Sequence, residues 1–241
     1  MPFSGMEEKS AEAISLALIV ELQATLATTL DSIAGNTTEG EVSYLVWGAT
    51  HVGKLLAGYT QLRNNQMKSA SKLMVRPLME ATAKADAAVK KPGFFFQKVR
   101  AEHEEEKKLL QEVRKIYDKR REPTHRIGQL LTGLENEWQK FEQNWIKKRP
   151  QDAKNKKRYN FDDTLGEIGL GGWYAQYRIY SQFTHGTIRA AAGHFDAMTE
   201  PADNLIIAAF TLHILFALKT YAPVTVPDLA PFRRRLNALI T

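Results

Sequence analysis

Apolar residues recur along the chain at helical spacing. Ile14, Leu18, Leu22 and Leu26 return every fourth position, which predicts a helix over residues 7–33 that Gly35-Asn36 stops. Thr38, with Glu41 three residues on, has the form of a capping box for the next helix, which runs to about Arg63. A third helix is predicted from about Gln66 to Lys91-Pro92-Gly93, with Pro77 inside it as a kink or a late start. A long charged helix over residues 94–121 reads as a solvated surface helix with one apolar stripe through Leu109, Val113 and Ile116. Pro123 opens a further helix bearing Ile127, Leu130, Leu131, Leu134, Trp138 and Phe141. Later helices are predicted at 161–170, 173–187, 201–221 and 228–240. No segment alternates as a strand does, and no repeat is visible. The fold class expected is all-α, a multi-helix bundle in one domain spanning residues 1–241.

One stretch departs from this pattern. Residues 147–158 read KKRPQDAKNKKR, too polar to bury a core of their own. A basic loop or linker is expected over 147–160. Residues 205–224 are long and apolar enough to be checked as a membrane span. His213 and Lys219 within them favour a buried core helix. No secretion signal is evident, and a soluble, cytoplasmic protein with no membrane association is expected.

Composition narrows the chemistry. The 241 residues include no cysteine, which removes disulfides, thiolate zinc sites and cysteine nucleophiles. The six histidines are scattered without ligand-like spacing, and no phosphate loop, dinucleotide fingerprint or nucleophile elbow occurs. No metal or other cofactor is expected. A formal charge of +6 suits phosphate-bearing partners.

Two short elements carry candidate chemistry. In Arg76-Pro77-Leu78-Met79-Glu80, Arg76 and Glu80 are four apart and share a helix face. In the segment from Trp173 to Gly186, Tyr174, Arg178, Ser181 and His185 fall on one helical stripe, with Tyr177, Tyr180 and Thr184 on an adjoining face. Arg178 and His185 lie two turns apart, roughly 10 Å along the axis. Metal-free RNA cleavage needs a base for the 2′-hydroxyl, an acid for the leaving oxygen and a cation for the phosphate. Histidine and arginine suit those tasks. One helix supplies one of each, and two copies across a two-fold axis supply the full set. A structural reading competes, in which Arg178 pairs with Glu80 or Asp163 and His185 is a satisfied histidine.

Together these elements resemble a widespread set of bacterial helical proteins with R-x-L-x-E early and Y-R-x-x-S-x-x-x-H late. The late element is similar to the R-x(4–6)-H signature of the HEPN superfamily. That resemblance implies a HEPN-like bundle, homodimerisation and a metal-independent endoribonuclease of a toxin–antitoxin or phage-defence system, with an antitoxin or operon partner. It carries Arg178 and His185 over as catalytic residues. Ser181, Tyr174, Arg76 and Glu80 are expected to support them, and Lys147, Lys148, Lys156, Lys157 and Arg158 to hold phosphates of RNA. Ile179 stands where active members often have a polar residue. The alternative is therefore a non-catalytic HEPN-like dimeric interaction module.

Overall fold

In the computed structural model, residues 5–33, 40–154, 160–186 and 196–240 are described. Among them every regular element is helical, as the 3.6-residue spacing predicts: α1 Gly5–Ile33, α2 Glu41–Asn64, α3 Lys68–Lys90, α4 Phe94–Lys119, α5 His125–Lys148, α6 Phe161–Glu167, α7 Tyr174–Thr184, α8 Asp196–Tyr221 and α9 Ala230–Ile240. The chain divides into two compact units, Met1–Lys90 with Asn160–Thr241, and Lys91–Tyr159.

The first unit is built on α1, α2, α3 and α8. Leu18, Leu22 and Leu26 of α1 are buried, each contributing about 1.5–3 kcal/mol by leaving water. Ile14, the first member of that expected series, is exposed instead. Helices α2 and α3 approach closely at Gly48, where an added Cβ would lie 2.5 Å from the Cβ of Ala85. Any larger residue there forces the two helices apart. The capping box is not what opens α2. Its N-cap is Gly40, at φ 69°, and Glu41 is its first helical residue, while Thr38 lies outside the described residues. Helix α3 passes straight through Pro77 in sequence, so Pro77 does not mark its start.

Among the described residues, two helices are long and apolar enough to cross a membrane, Ala11–Ile33 and Ala202–Tyr221. The second behaves as the core helix expected. Its Asn204 accepts from the Tyr59 hydroxyl at 2.6 Å and donates to Ser15 at 2.8 Å. Asp203 accepts from the Tyr180 hydroxyl, and His213 donates to the buried Asp86 carboxylate at 2.6 Å. Buried polar groups with partners inside the bundle tie α8 to α1, α2, α3 and α7.

The second unit is an antiparallel pair, α4 and α5. Its core lies at one end, where Phe95, Phe96, Trp138, Phe141 and Trp145 pack ring against ring. The Trp145 indole donates to the buried Asp152 carboxylate at 2.8 Å, closing that end. His103, which the charge of its neighbours suggests as a surface residue, has a largely covered side chain that stacks on Trp138. The stripe predicted in α4 fares differently. Leu109 and Ile116 remain exposed, because the buried face of α4 is its first turn, Phe94–Phe96. The expected loop begins later than predicted: Lys147 and Lys148 form the last turn of α5, where cations are favoured by the helix dipole.

Candidate functional site

Helix α3 is amphipathic, with Val75, Leu78, Met79 and Thr82 facing inward. Arg76, Glu80 and Lys84 follow one another every fourth residue along its half-buried shoulder. Helix α7 packs against α3. It buries Tyr180 and Phe183 and leaves Arg178 and His185 exposed. The two elements separated by about a hundred residues of sequence therefore meet.

Glu80 is the hub. Its Oε1 accepts from the Arg76 Nε at 2.9 Å and from the Tyr177 hydroxyl at 2.9 Å. Its Oε2 accepts from Lys84 Nζ at 3.4 Å. The Arg76 guanidinium also lies 5.1 Å from the Tyr177 ring centre, a cation–π distance. Its remaining arm, Nη1, reaches His185 Nε2 at 2.9 Å. A guanidinium has only donors, so this contact is a hydrogen bond when His185 accepts at Nε2. Arg76 thus orients an exposed imidazole.

The electrostatics agree with that geometry. Burial opposes the Glu80 charge, but the Lys84 ammonium and the hydrogen bonds from Arg76 and Tyr177 outweigh it and hold the carboxyl below its usual range. Burial, and then the hydrogen bond to Glu80, push the Tyr177 phenol up, so it remains a donor. For Arg76, burial works against its charge, yet the Glu80 contact leaves the guanidinium more firmly protonated than usual.

His185 caps α7, directly before Gly186 at φ 59°. The helix stops there because the next residue turns left-handed, a conformation glycine adopts without strain. Two turns back, the Arg178 side chain is exposed and has no hydrogen bond or ion pair among the described residues. The structural pairing of Arg178 with Glu80 does not occur, because Arg76, Lys84 and Tyr177 occupy that carboxylate.

The supporting residues divide. Arg76 and Glu80 are in the cluster. Ser181 is not, since its hydroxyl donates to the Tyr177 carbonyl within α7 at 2.9 Å. Tyr174 reaches the cluster only by stacking on Tyr177, at 5.9 Å between ring centres. Tyr177 and Lys84 were not among the expected site residues. Spacing puts Tyr177 on the face adjoining the polar stripe, and only the packing of α7 on α3 reveals its carboxylate partner. Lys147 and Lys148 belong to the second unit, and Lys156, Lys157 and Arg158 lie outside the described residues. Among the described residues no group of three or more histidines, aspartates or glutamates is placed to hold a metal.

Residues 52–203 match a family described as a family of unknown function (DUF5677). The matched span contains every member of the cluster. No curated protein and no solved structure matches the chain.

Proposed function

The chain belongs to the DUF5677 family of unknown function, and from that premise we propose that the cluster around His185 is a metal-independent, HEPN-like endoribonuclease site. The observation that carries the reading is an exposed imidazole whose Nε2 lies 2.9 Å from a guanidinium that a half-buried carboxylate and a phenol anchor. Base and phosphate-binding cation are thereby adjacent and pre-oriented, the arrangement phosphate transesterification requires.

In this reading Arg76, not Arg178, is the cation beside the base. When RNA binds, Arg76 Nη1 turns from His185 to a non-bridging phosphate oxygen, and Nε2 is freed to take the 2′-hydroxyl proton. The 2′-oxygen bonds to phosphorus, the bond from phosphorus to the 5′-oxygen breaks, and a 2′,3′-cyclic phosphate remains. The departing 5′-oxygen takes a proton from an imidazolium, which the second copy's His185 supplies in a two-fold dimer. Arg178, exposed on the same helix, binds a neighbouring phosphate of the strand. Glu80 and Tyr177 act through Arg76 as positioning residues. A toxin–antitoxin or phage-defence role with an operon partner is the setting the HEPN resemblance implies for this activity.

The test is direct. Purified protein incubated with RNA in excess chelator is expected to leave 2′,3′-cyclic phosphate ends, and His185→Ala to leave none. Equal cleavage by both proteins ends the assignment. If neither cleaves, the non-catalytic dimeric module takes its place.

A further inference from the structure

At the turn between α4 and α5, five cations, Lys115, Lys119, Arg120, Arg121 and Arg126, stand against two carboxylates, Asp118 and Glu122. All five are exposed, and none of their side chains has a hydrogen bond or ion pair among the described residues. Asp118 lies instead against Arg114, at 4.0 Å. Such a tip is common enough on a solvated helix. Two features of its backbone separate it from that case.

The first is the turn itself. Glu122 N–H donates to the Tyr117 carbonyl at 3.0 Å, and Arg121 N–H to the Asp118 carbonyl at 3.1 Å. This pair of bonds is the Schellman ending of a helix, whose left-handed position is usually glycine. Here that position is Arg121, at φ 56°, a conformation that costs a side chain and spares glycine. The second is Arg126. It lies in the first turn of α5, which has no acidic residue, at the helix end whose dipole disfavours a cation. Folding is served by glycine at one position and by an acid at the other. Arginine at both points to a use for the charge outside the chain.

We propose that this tip docks the phosphate backbone of single-stranded RNA. Three of its cations are arginines, whose planar forks grip phosphate and stack on bases. Tyr117, 37% exposed beside them, offers a face on which an unpaired base can stack. The inference goes beyond the catalytic reading and rests on it only in the choice of RNA as the nucleic acid. It assigns binding to a surface that takes no part in cleavage.

The experiment is fluorescence anisotropy of the full chain with a labelled single-stranded 2′-O-methyl oligoribonucleotide, which has no 2′-hydroxyl to cleave. The triple variant Arg120→Gln, Arg121→Gly, Arg126→Gln is expected to bind at least tenfold more weakly at low salt. Its log–log salt slope should be shallower by about 2, three phosphate contacts at roughly 0.7 each. Arg121→Gly alone is expected to weaken binding while raising Tm by about 2 °C or more, since it relieves the turn. Wild-type affinity in the triple variant overturns the proposal. So does a wild-type protein that ignores the oligonucleotide, or one whose tip binds phosphatidylserine vesicles in its place. Loss of cleavage in His185→Ala with binding retained bears on the catalytic reading alone, so the two ideas fail separately.

Discussion

Helix α7 carries two tyrosine–carboxylate hydrogen bonds, three residues apart, that have opposite surroundings. Tyr180 is buried and donates to Asp203, in a core where Tyr59, Asn204, Ser15 and Lys72 are also covered. Burial, then the charge of Asp203, push the Tyr180 phenol far up, so it stays a donor throughout the physiological range. Tyr177 donates to Glu80 on the half-buried shoulder, and that carboxylate leads through Arg76 to a histidine in contact with solvent. The inner bond ends inside the bundle. The outer one ends on a group that solvent reaches. Similar chemistry thus fastens the helix on one face and orients a solvent-facing imidazole on the other.

That contrast can be broken from either side. The largest effect belongs to the outer cluster. His185→Ala is expected to lower RNA cleavage by about 10²–10⁴-fold, the usual worth of an acid–base group, while leaving Tm unchanged. A parallel fall in Tm would mean that the exposed imidazole is structural after all. Next comes the inner bond. Tyr180→Phe strips a donor from a buried carboxylate and should destabilise the fold by about 1–3 kcal/mol, read from urea unfolding, with cleavage unchanged at temperatures well below Tm.

Glu80 separates the two clusters by pH. Its folded-state carboxyl titrates below the ordinary 4.5, so the stability it confers is fully present above that value. It is lost as pH falls through the lower folded-state value. Wild-type protein should therefore lose stability on acidification below about 4.5 more steeply than Glu80→Gln, measured as urea midpoints against pH. Coincident curves would show that the shoulder contributes nothing to that window. The smallest effect is expected from Arg178→Ala. It should raise the RNA concentration for half-maximal rate by about three- to tenfold and leave the saturated rate unchanged, as loss of one phosphate contact does. A lost saturated rate would return Arg178 to the position beside the base.

Much of the bundle was legible because its signals are local. The four-residue spacing of Leu18, Leu22 and Leu26 and the stop at Lys91-Pro92-Gly93 each act within a few residues. Capping was less legible. Gly40 opens α2 by adopting a positive φ, and no side-chain pattern announces that. The site was half legible. Arg76 and Glu80 are neighbours on one helix, so their pairing follows from spacing alone. Helical periodicity likewise puts Arg178 and His185 on one face. It cannot show which guanidinium reaches the imidazole, because that depends on how α7 lies on α3. Arg76, 109 residues away in sequence, makes the contact. Spacing sets Tyr177 and Tyr180 on the same adjoining face, and a half-buried phenol and a buried one look alike until a partner helix is known. In α4, the exposed Leu109 and Ile116 show the opposite failure, an amphipathic stripe whose burial depends on a covering element that spacing does not reveal.

The most direct measurement is a double-mutant cycle on single-turnover RNA cleavage in chelator, using Arg76→Ala, His185→Ala and the pair together. If guanidinium and imidazole work as one unit, each single variant loses most of the activity and the double variant is little slower than either. Fully multiplicative losses, or an Arg76→Ala protein that cleaves at the wild-type rate, would contradict the account.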